Sequence, residues 1–192
     1  MRLLLIDPDS TRAELVAEGL AGLEPLELRR QAMLADADLR AFAPDLIIIA
    51  CDSPDRDTID SLRDATQANP RPVVMFVDRS EPGSAEQAVR AGVAAYVVDG
   101  LQPSRVRPIL EAAMTRFQLM QQLRADLAKA QSDLASRKTI DRAKGMLMKE
   151  RQIDEDAAYA TLRKLAMNSG RPIAAVAADL LAFAGVLKGD QS

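Results

Sequence analysis

The sequence predicts an α/β domain built on a parallel sheet, then a long helix, then a small all-helical module. Three observations point there. Across the first hundred residues, apolar runs of four or five residues alternate with amphipathic stretches. After Pro108 the chain passes through a long Leu-, Ala-, Gln- and Arg-rich segment, reaching Thr139 without another Pro or any Gly. Beyond it, helical patterns are broken by Asp154, by Asn168-Ser169-Gly170 and by Pro172.

The runs Leu3-Leu4-Leu5-Ile6, Leu46-Ile47-Ile48-Ile49, Val73-Val74-Met75-Phe76-Val77 and Ala95-Tyr96-Val97-Val98 are continuous rather than alternating. Continuous apolar runs of this length are expected of strands buried on both faces. A weaker strand falls near residues 26–30. Helical patterns lie between them over 11–22, 33–42, 57–68 and 85–91. Strands alternating with helices require right-handed crossovers onto a parallel sheet. Five such strands in this span predict a flavodoxin-like, doubly wound domain.

From residue 103 to about 139 the chain has no Gly and, after Pro108, no Pro, and its abundant Leu, Ala, Gln and Arg all tolerate helix well. Met120, Leu123, Leu127, Ala130 and Leu134 repeat at a 3-4-3-4 spacing, the register of a coiled coil. The stripe suits either a second copy of the chain or the chain's own C-terminal helices. Three short helices follow. The first carries RKTIDRAKGMLMKERQ; the second, over 155–167, starts after Asp154 as N-cap and closes at Asn168-Ser169-Gly170. Pro172 opens the third, which runs to about residue 183. Ile140, Leu147, Ile153, Ala158, Leu162, Leu165, Val176, Leu180 and Leu181 are the expected core of this module, with Met146 and Met148 packing beside them.

Composition narrows the function classes. The 192 residues include no His and one Cys, Cys51, which excludes Ser-His and Cys-His catalysis, His-ligated metals and intrachain disulfides. No stretch approaches the roughly 18 apolar residues of a membrane span, and Asp7 and Pro8 interrupt the first apolar run early. We therefore expect a cytoplasmic, non-enzymatic protein with no cofactor, no metal and no membrane attachment. Charge is unevenly distributed. Residues 1–135 hold 15 Lys and Arg against 21 Asp and Glu, whereas residues 136–192 hold 10 against 7. The C-terminal part is thus the one suited to meet a polyanion.

Residues 1–115 resemble a response-regulator receiver domain. Ile6-Asp7 ends the first strand, Pro44-Asp45-Leu46-Ile47-Ile48-Ile49 opens the third, and Ala91-Gly92 precedes the fifth. The resemblance implies acidic residues that hold Mg²⁺ through oxygen ligands, a phosphoaccepting Asp, a hydroxyl and a Lys. The sequence departs from that pattern. Ala50 occupies the phosphoacceptor position, Val77 the hydroxyl position and Asp99 the Lys position, and Pro8 separates Asp7 from Asp9. Asp52 lies two residues past the acceptor position, with no Lys placed to neutralise a phosphorylated product, so no phosphoacceptor is expected. Asp7 and Asp9 read as a strand-end turn and helix cap. The domain reads as a pseudo-receiver that binds a protein or holds a dimer. Its strings CDSPDRDT, VVMFVDRSEP and AAYVVDGLQPSRVRPIL resemble the nitrate-assimilation antiterminators of the NasT group.

The C-terminal module resembles the ANTAR domain. The resemblance rests on Arg142-Ala143-Lys144-Gly145-Met146-Leu147-Met148, on Ala158-Tyr159, Leu162-Arg163 and Ala166-Met167, and on Val176-Ala177. It implies binding to hairpins of a leader mRNA and stabilisation of an antiterminator. Tyr159, Arg163 and Met167 recur every fourth residue and share one helix face, offering an aromatic plane, a guanidinium and an apolar contact for unstacked bases. Lys138, Arg142 and Lys149 lie on one stripe of the preceding helix, and Lys144 lies on another with Arg137, Met148 and Arg151. The stripe of Lys138, Arg142 and Lys149 suits phosphate contacts. Gly145 in mid-helix implies close approach of another helix or of RNA.

The expected organisation is a pseudo-receiver over 1–115, a connecting helix or coiled coil over 103–135, an RNA-binding module over 136–187 and a tail over 188–192. The expected partners are leader mRNA hairpins, a nitrate/nitrite-sensor protein of the NasS kind and a second copy of the chain. Three other readings stay open: a DNA-binding regulator, a phosphorylated two-component regulator, and a protein-only adaptor.

Overall fold

The computed structural model describes residues 1–34 and 37–189. The element order is β1 (Arg2–Ile6), α1 (Ser10–Gly19), β2 (Glu27–Gln31), α2 (Leu39–Phe42), β3 (Leu46–Cys51), α3 (Arg56–Ala68), β4 (Val73–Val77), α4 (Ser84–Arg90) and β5 (Ala95–Val98), followed by α5 (Pro103–Arg151), α6 (Glu155–Ser169) and α7 (Ile173–Gly189). The five strands form one parallel sheet in the order β2-β1-β3-β4-β5. The doubly wound fold expected from the sequence is therefore the fold observed.

The continuous apolar runs serve both faces because successive side chains of a strand point to opposite sides. Leu4, Ile6, Ile47, Ile49 and Met75 pack with Ile59 and Leu62 of α3 and Ala88 of α4. Leu3, Leu5, Ile48, Val74 and Phe76 pack on the other face with Val16 of α1 and Val106, Leu110 and Ala113 of α5. Close fit at this second face is enforced by Gly19, where a Cβ would lie 2.6 Å from the Pro103 carbonyl oxygen. β2 and β5 are the two edge strands; β2 is largely exposed, which explains its weak sequence signal.

Aspartates start four of the helices. Asp9, Asp38, Asp55 and Asp154 each accept hydrogen bonds from first-turn backbone amides of α1, α2, α3 and α6. Such a cap contributes about 1 kcal/mol. Asp38 also corrects the helix expected over 33–42. It nucleates a helix of one turn, Leu39–Phe42, while Ala32 and Met33 lie outside any helix and residues 35–36 fall outside the described part.

The chain divides into two compact units, Met1–Gln122 and a second beginning at Leu123, and α5 contributes residues to both. The first of the three expected short helices is thus the end of a 49-residue helix. The third continues to Gly189, so Lys188 and Gly189 of the expected tail are helical, and residues 190–192 lie outside the described part. Among the described residues no helix is long and apolar enough to cross a membrane.

Candidate nucleic-acid interface

The helical unit is built around small residues. Ala143, Leu147, Ala158, Leu162 and Ala177 are buried, with Ile140, Met146, Ile153, Ile173, Leu180 and Leu181 packed around them. On α6 the buried stripe is Ala158, Leu162 and Ala166, at intervals of four. Leu165 falls one position off that stripe and is 39% exposed, so its assignment to the core is corrected, and Ala166 takes its place. Met146 packs on the core as expected, whereas Met148 faces outward.

With Ala158, Leu162 and Ala166 turned inward, helix geometry turns Tyr159, Arg163 and Met167 outward. Tyr159 is 44% exposed and Met167 73%, and Arg163 is exposed with no ion pair among the described residues. α6 is bounded sharply. The Asp154 carboxylate accepts from the Ala157 amide at 2.8 Å, and Gly170 closes the C-terminus with φ +63°, a backbone that favours glycine. A rigid, solvent-facing tyrosine, guanidinium and thioether on one surface is an arrangement that stacks and hydrogen-bonds unpaired bases.

On α5, Lys138, Arg142 and Lys149 are exposed and carry no ion pair among the described residues. Lys144 differs. Its Nζ donates to Glu155 at 2.6 Å and to Asp141 at 2.9 Å, and its side chain is only 17% exposed. The Glu155 and Asp141 carboxylates hold its ammonium above the ordinary lysine value. Lys144 therefore ties α5 to the first turn of α6, and its charge is already matched within the protein. At Gly145 an added Cβ would meet nothing within 4 Å. No neighbouring helix among the described residues explains that glycine, which leaves its surface open to an external partner.

In the sheet unit, two of the positions that depart from a receiver are packed into the fold, while Pro8 and Asp99 are exposed. Ala50 and Val77 are buried, Ala50 pairing with Phe76 across β3 and β4, and Asp99 follows β5 with φ +48°. Burial pushes the Cys51 thiol up to about 11. The strand-end carboxylates are engaged by a residue the sequence reasoning did not single out. Arg12 donates to Asp52, to Asp78 at 3.0 Å and to Asp7 at 3.3 Å. Its sequence signal was a lone cation in the first turn of the helix after Asp7 and Asp9. Asp7 is wholly buried, and desolvation raises its pKa despite hydrogen bonds from the Asp9 amide and Arg12. Hydrogen bonding to Arg12 lowers that of Asp52. The Mg²⁺ that the receiver resemblance implies does not fit here, because a guanidinium already stands among the carboxylates. Asp9 serves as the cap of α1, accepting from the Thr11 amide at 2.7 Å.

Comparison with known proteins agrees with both units. The ANTAR domain family matches residues 128–181. The transcriptional regulatory protein PdtaR of Mycobacterium tuberculosis is 30% identical over 175 residues, covering 91% of this chain and 80% of PdtaR. The chain belongs to the PdtaR family. Among solved structures, the CheY-like response regulator receiver domain protein from Methanospirillum hungatei JF-1 superposes with a TM-score of 0.54 at 17% identity, covering 62% of this chain and 97% of that one. The signal receiver domain of a LuxO-type repressor protein from Vibrio parahaemolyticus gives 0.53 at 21%, covering 64% and 95%. These two likenesses establish the receiver fold of the sheet unit. The ANTAR match and the PdtaR kinship support an RNA-binding antitermination regulator.

Proposed function

We propose that this PdtaR-family chain is an antiterminator whose helical module, residues 136–187, binds paired hairpins of a leader mRNA. The observation that carries the reading is the outward face of Tyr159, Arg163 and Met167, set in the ANTAR-matching segment. Tyr159 stacks on an unpaired base, Arg163 supplies a guanidinium to base or phosphate, and Met167 packs against the loop. Lys138, Arg142 and Lys149 hold the phosphate backbone, and the bare surface at Gly145 lets RNA approach α5. Lys144 acts through its ties to Asp141 and Glu155, orienting α6.

Residues 1–115 act as a pseudo-receiver and residues 103–135 as the connecting helix. The stripe of Met120, Leu123, Leu127 and Leu134 is 47%, 62%, 57% and 55% exposed, which supports pairing with a second copy. A homodimer presents two modules to two hairpins and gains apparent affinity through effective concentration. The NasT-like strings support a nitrate/nitrite assimilation leader as target and a NasS-like sensor protein, rather than phosphorylation, as the control.

The test is binding of the full chain to a two-hairpin leader RNA, with a scrambled hairpin and duplex DNA as controls. Selective leader binding that falls in Tyr159→Ala and Arg163→Ala is expected. Equal affinity for duplex DNA overturns the RNA reading. A wild-type chain silent toward both nucleic acids, with and without the sensor protein and its ligand, favours a protein-only adaptor.

A further inference from the structure

Three carboxylates converge at the C-terminal edge of the sheet. Asp7, Asp52 and Asp78 follow β1, β3 and β4, which are neighbours in the sheet. Carboxylates brought together at a partly dry site repel one another and need a cation between them. In this chain the cation is covalently attached. The Arg12 side chain is 13% exposed, and its guanidinium reaches Asp52 and Asp78 through Nη1 and Asp7 through Nη2.

The match is incomplete in an informative way. Asp7 is 0% exposed, its Oδ1 takes the Asp9 amide at 2.7 Å as well as Arg12, and its Oδ2 has no hydrogen-bond partner among the described residues. Arg12 Nε is also buried and without a partner among the described residues. A planar guanidinium donates along fixed directions and leaves this oxygen unserved. A spherical divalent ion has no such restriction and takes oxygens from any side at about 2.0–2.6 Å.

We propose that the Arg12 guanidinium is a built-in substitute for a divalent cation, and that Asp7, Asp52 and Asp78 form a latent hard-cation site that Arg12 keeps closed. The loops after β1, β3 and β4 are thereby held by a charge that cannot dissociate. The sheet edge keeps one electrostatic state whatever the concentration of divalent ions. The inference stands independently of the RNA reading.

The probe is Mn²⁺, followed by calorimetric titration and by thermal melting of the full chain. Wild type is expected to show no saturable binding at millimolar Mn²⁺ and an unmoved melting temperature. Arg12→Ala is expected to bind one Mn²⁺ at least about tenfold more tightly than wild type and to melt higher as Mn²⁺ rises, by mass action. Adding Asp7→Asn to that variant removes the binding. If Arg12→Ala folds only with Mn²⁺ present, the proposal is supported through the same site. Wild type binding Mn²⁺ as well as Arg12→Ala, a folded Arg12→Ala that binds none, or an unfolded one that saturating Mn²⁺ leaves unfolded each overturns it.

Discussion

Two arginines separate the sheet unit from the helical unit. Arg12 is nearly buried and commits its guanidinium to three carboxylates of its own chain. Arg163 stands exposed beside Tyr159 and Met167, with no ion pair among the described residues. The same chemical group closes a site in one region and opens a surface in the other. Two glycines repeat the contrast. Gly19 lies against Pro103 and Val106, where any side chain collides, whereas Gly145 faces open space. A residue type therefore does not announce its role. What surrounds it does, and the surroundings here divide the molecule into an inward-turned domain and an outward-turned one.

The largest test of that contrast lies in the two cores. The sheet unit buries many large aliphatics, while the helical unit relies on a few, with alanines between them. Leu162→Ala should cost about 2–5 kcal/mol. Calorimetry should show it lowering a transition that Ile48→Val, at about 0.5–1.5 kcal/mol, leaves in place. A common shift from both variants would show that the two units unfold together.

Next in size is Tyr159→Ala, expected to weaken leader-RNA binding by about 1–3 kcal/mol, the worth of one stacked base, while Tyr159→Phe keeps most of it. Equal losses in the two variants would move the role from the ring to the hydroxyl. The glycines come third. Gly19→Ala should destabilise by about 1–3 kcal/mol through overpacking, measured in urea. Gly145→Ala should have the opposite sign, stabilising by about 0.5–1 kcal/mol through helix propensity. Reduced RNA affinity in a more stable Gly145→Ala would locate the RNA against that surface.

The smallest effect concerns pH. Asp52 is held below the usual carboxylate range by Arg12, so its contribution is whole above about pH 4 and is lost as pH falls through the lowered value. Burial moves Asp7 the other way, so its contribution is whole below about pH 4 and is lost as pH rises through the raised value. Asp52→Asn should flatten the acid side of the stability profile, measured as urea midpoints from about pH 6 down to pH 3. A profile as steep as wild type would show that Arg12 gains nothing from Asp52.

Much of the fold was legible because the apolar runs are continuous and the breakers unambiguous. The runs ending at Ile6, Ile49 and Val77 have few alternatives to buried parallel strands, whereas the run ending at Val98, expected to be buried on both faces, forms a half-exposed strand because it lies at the edge of the sheet. Errors arose where the deciding signal is weak or local. Leu34, Leu39 and Phe42 imitate a helical face, but the Asp38 cap restricts the helix to its last turn. Leu165 outweighed Ala166 as a core candidate because alanine carries little hydrophobic signal, although its small side chain suits close helix packing. On the proposed interface, the spacing of Tyr159, Arg163 and Met167 was visible in the sequence. The engagement of Lys144 was not, because Glu155 lies 11 residues away and reaches it only across the turn between α5 and α6.

The sequence by itself determined the sheet, the long helix and the three-part helical pattern, since each follows from residue type and local spacing. Tertiary structure alone decided which charges are matched and which remain for a partner. Asp52 and Asp78 lie 40 and 66 residues from Arg12 and meet it only because β1, β3 and β4 end side by side. Charge pairing depends on distance in space and on burial, and neither can be read until the crossovers have brought the strand ends together.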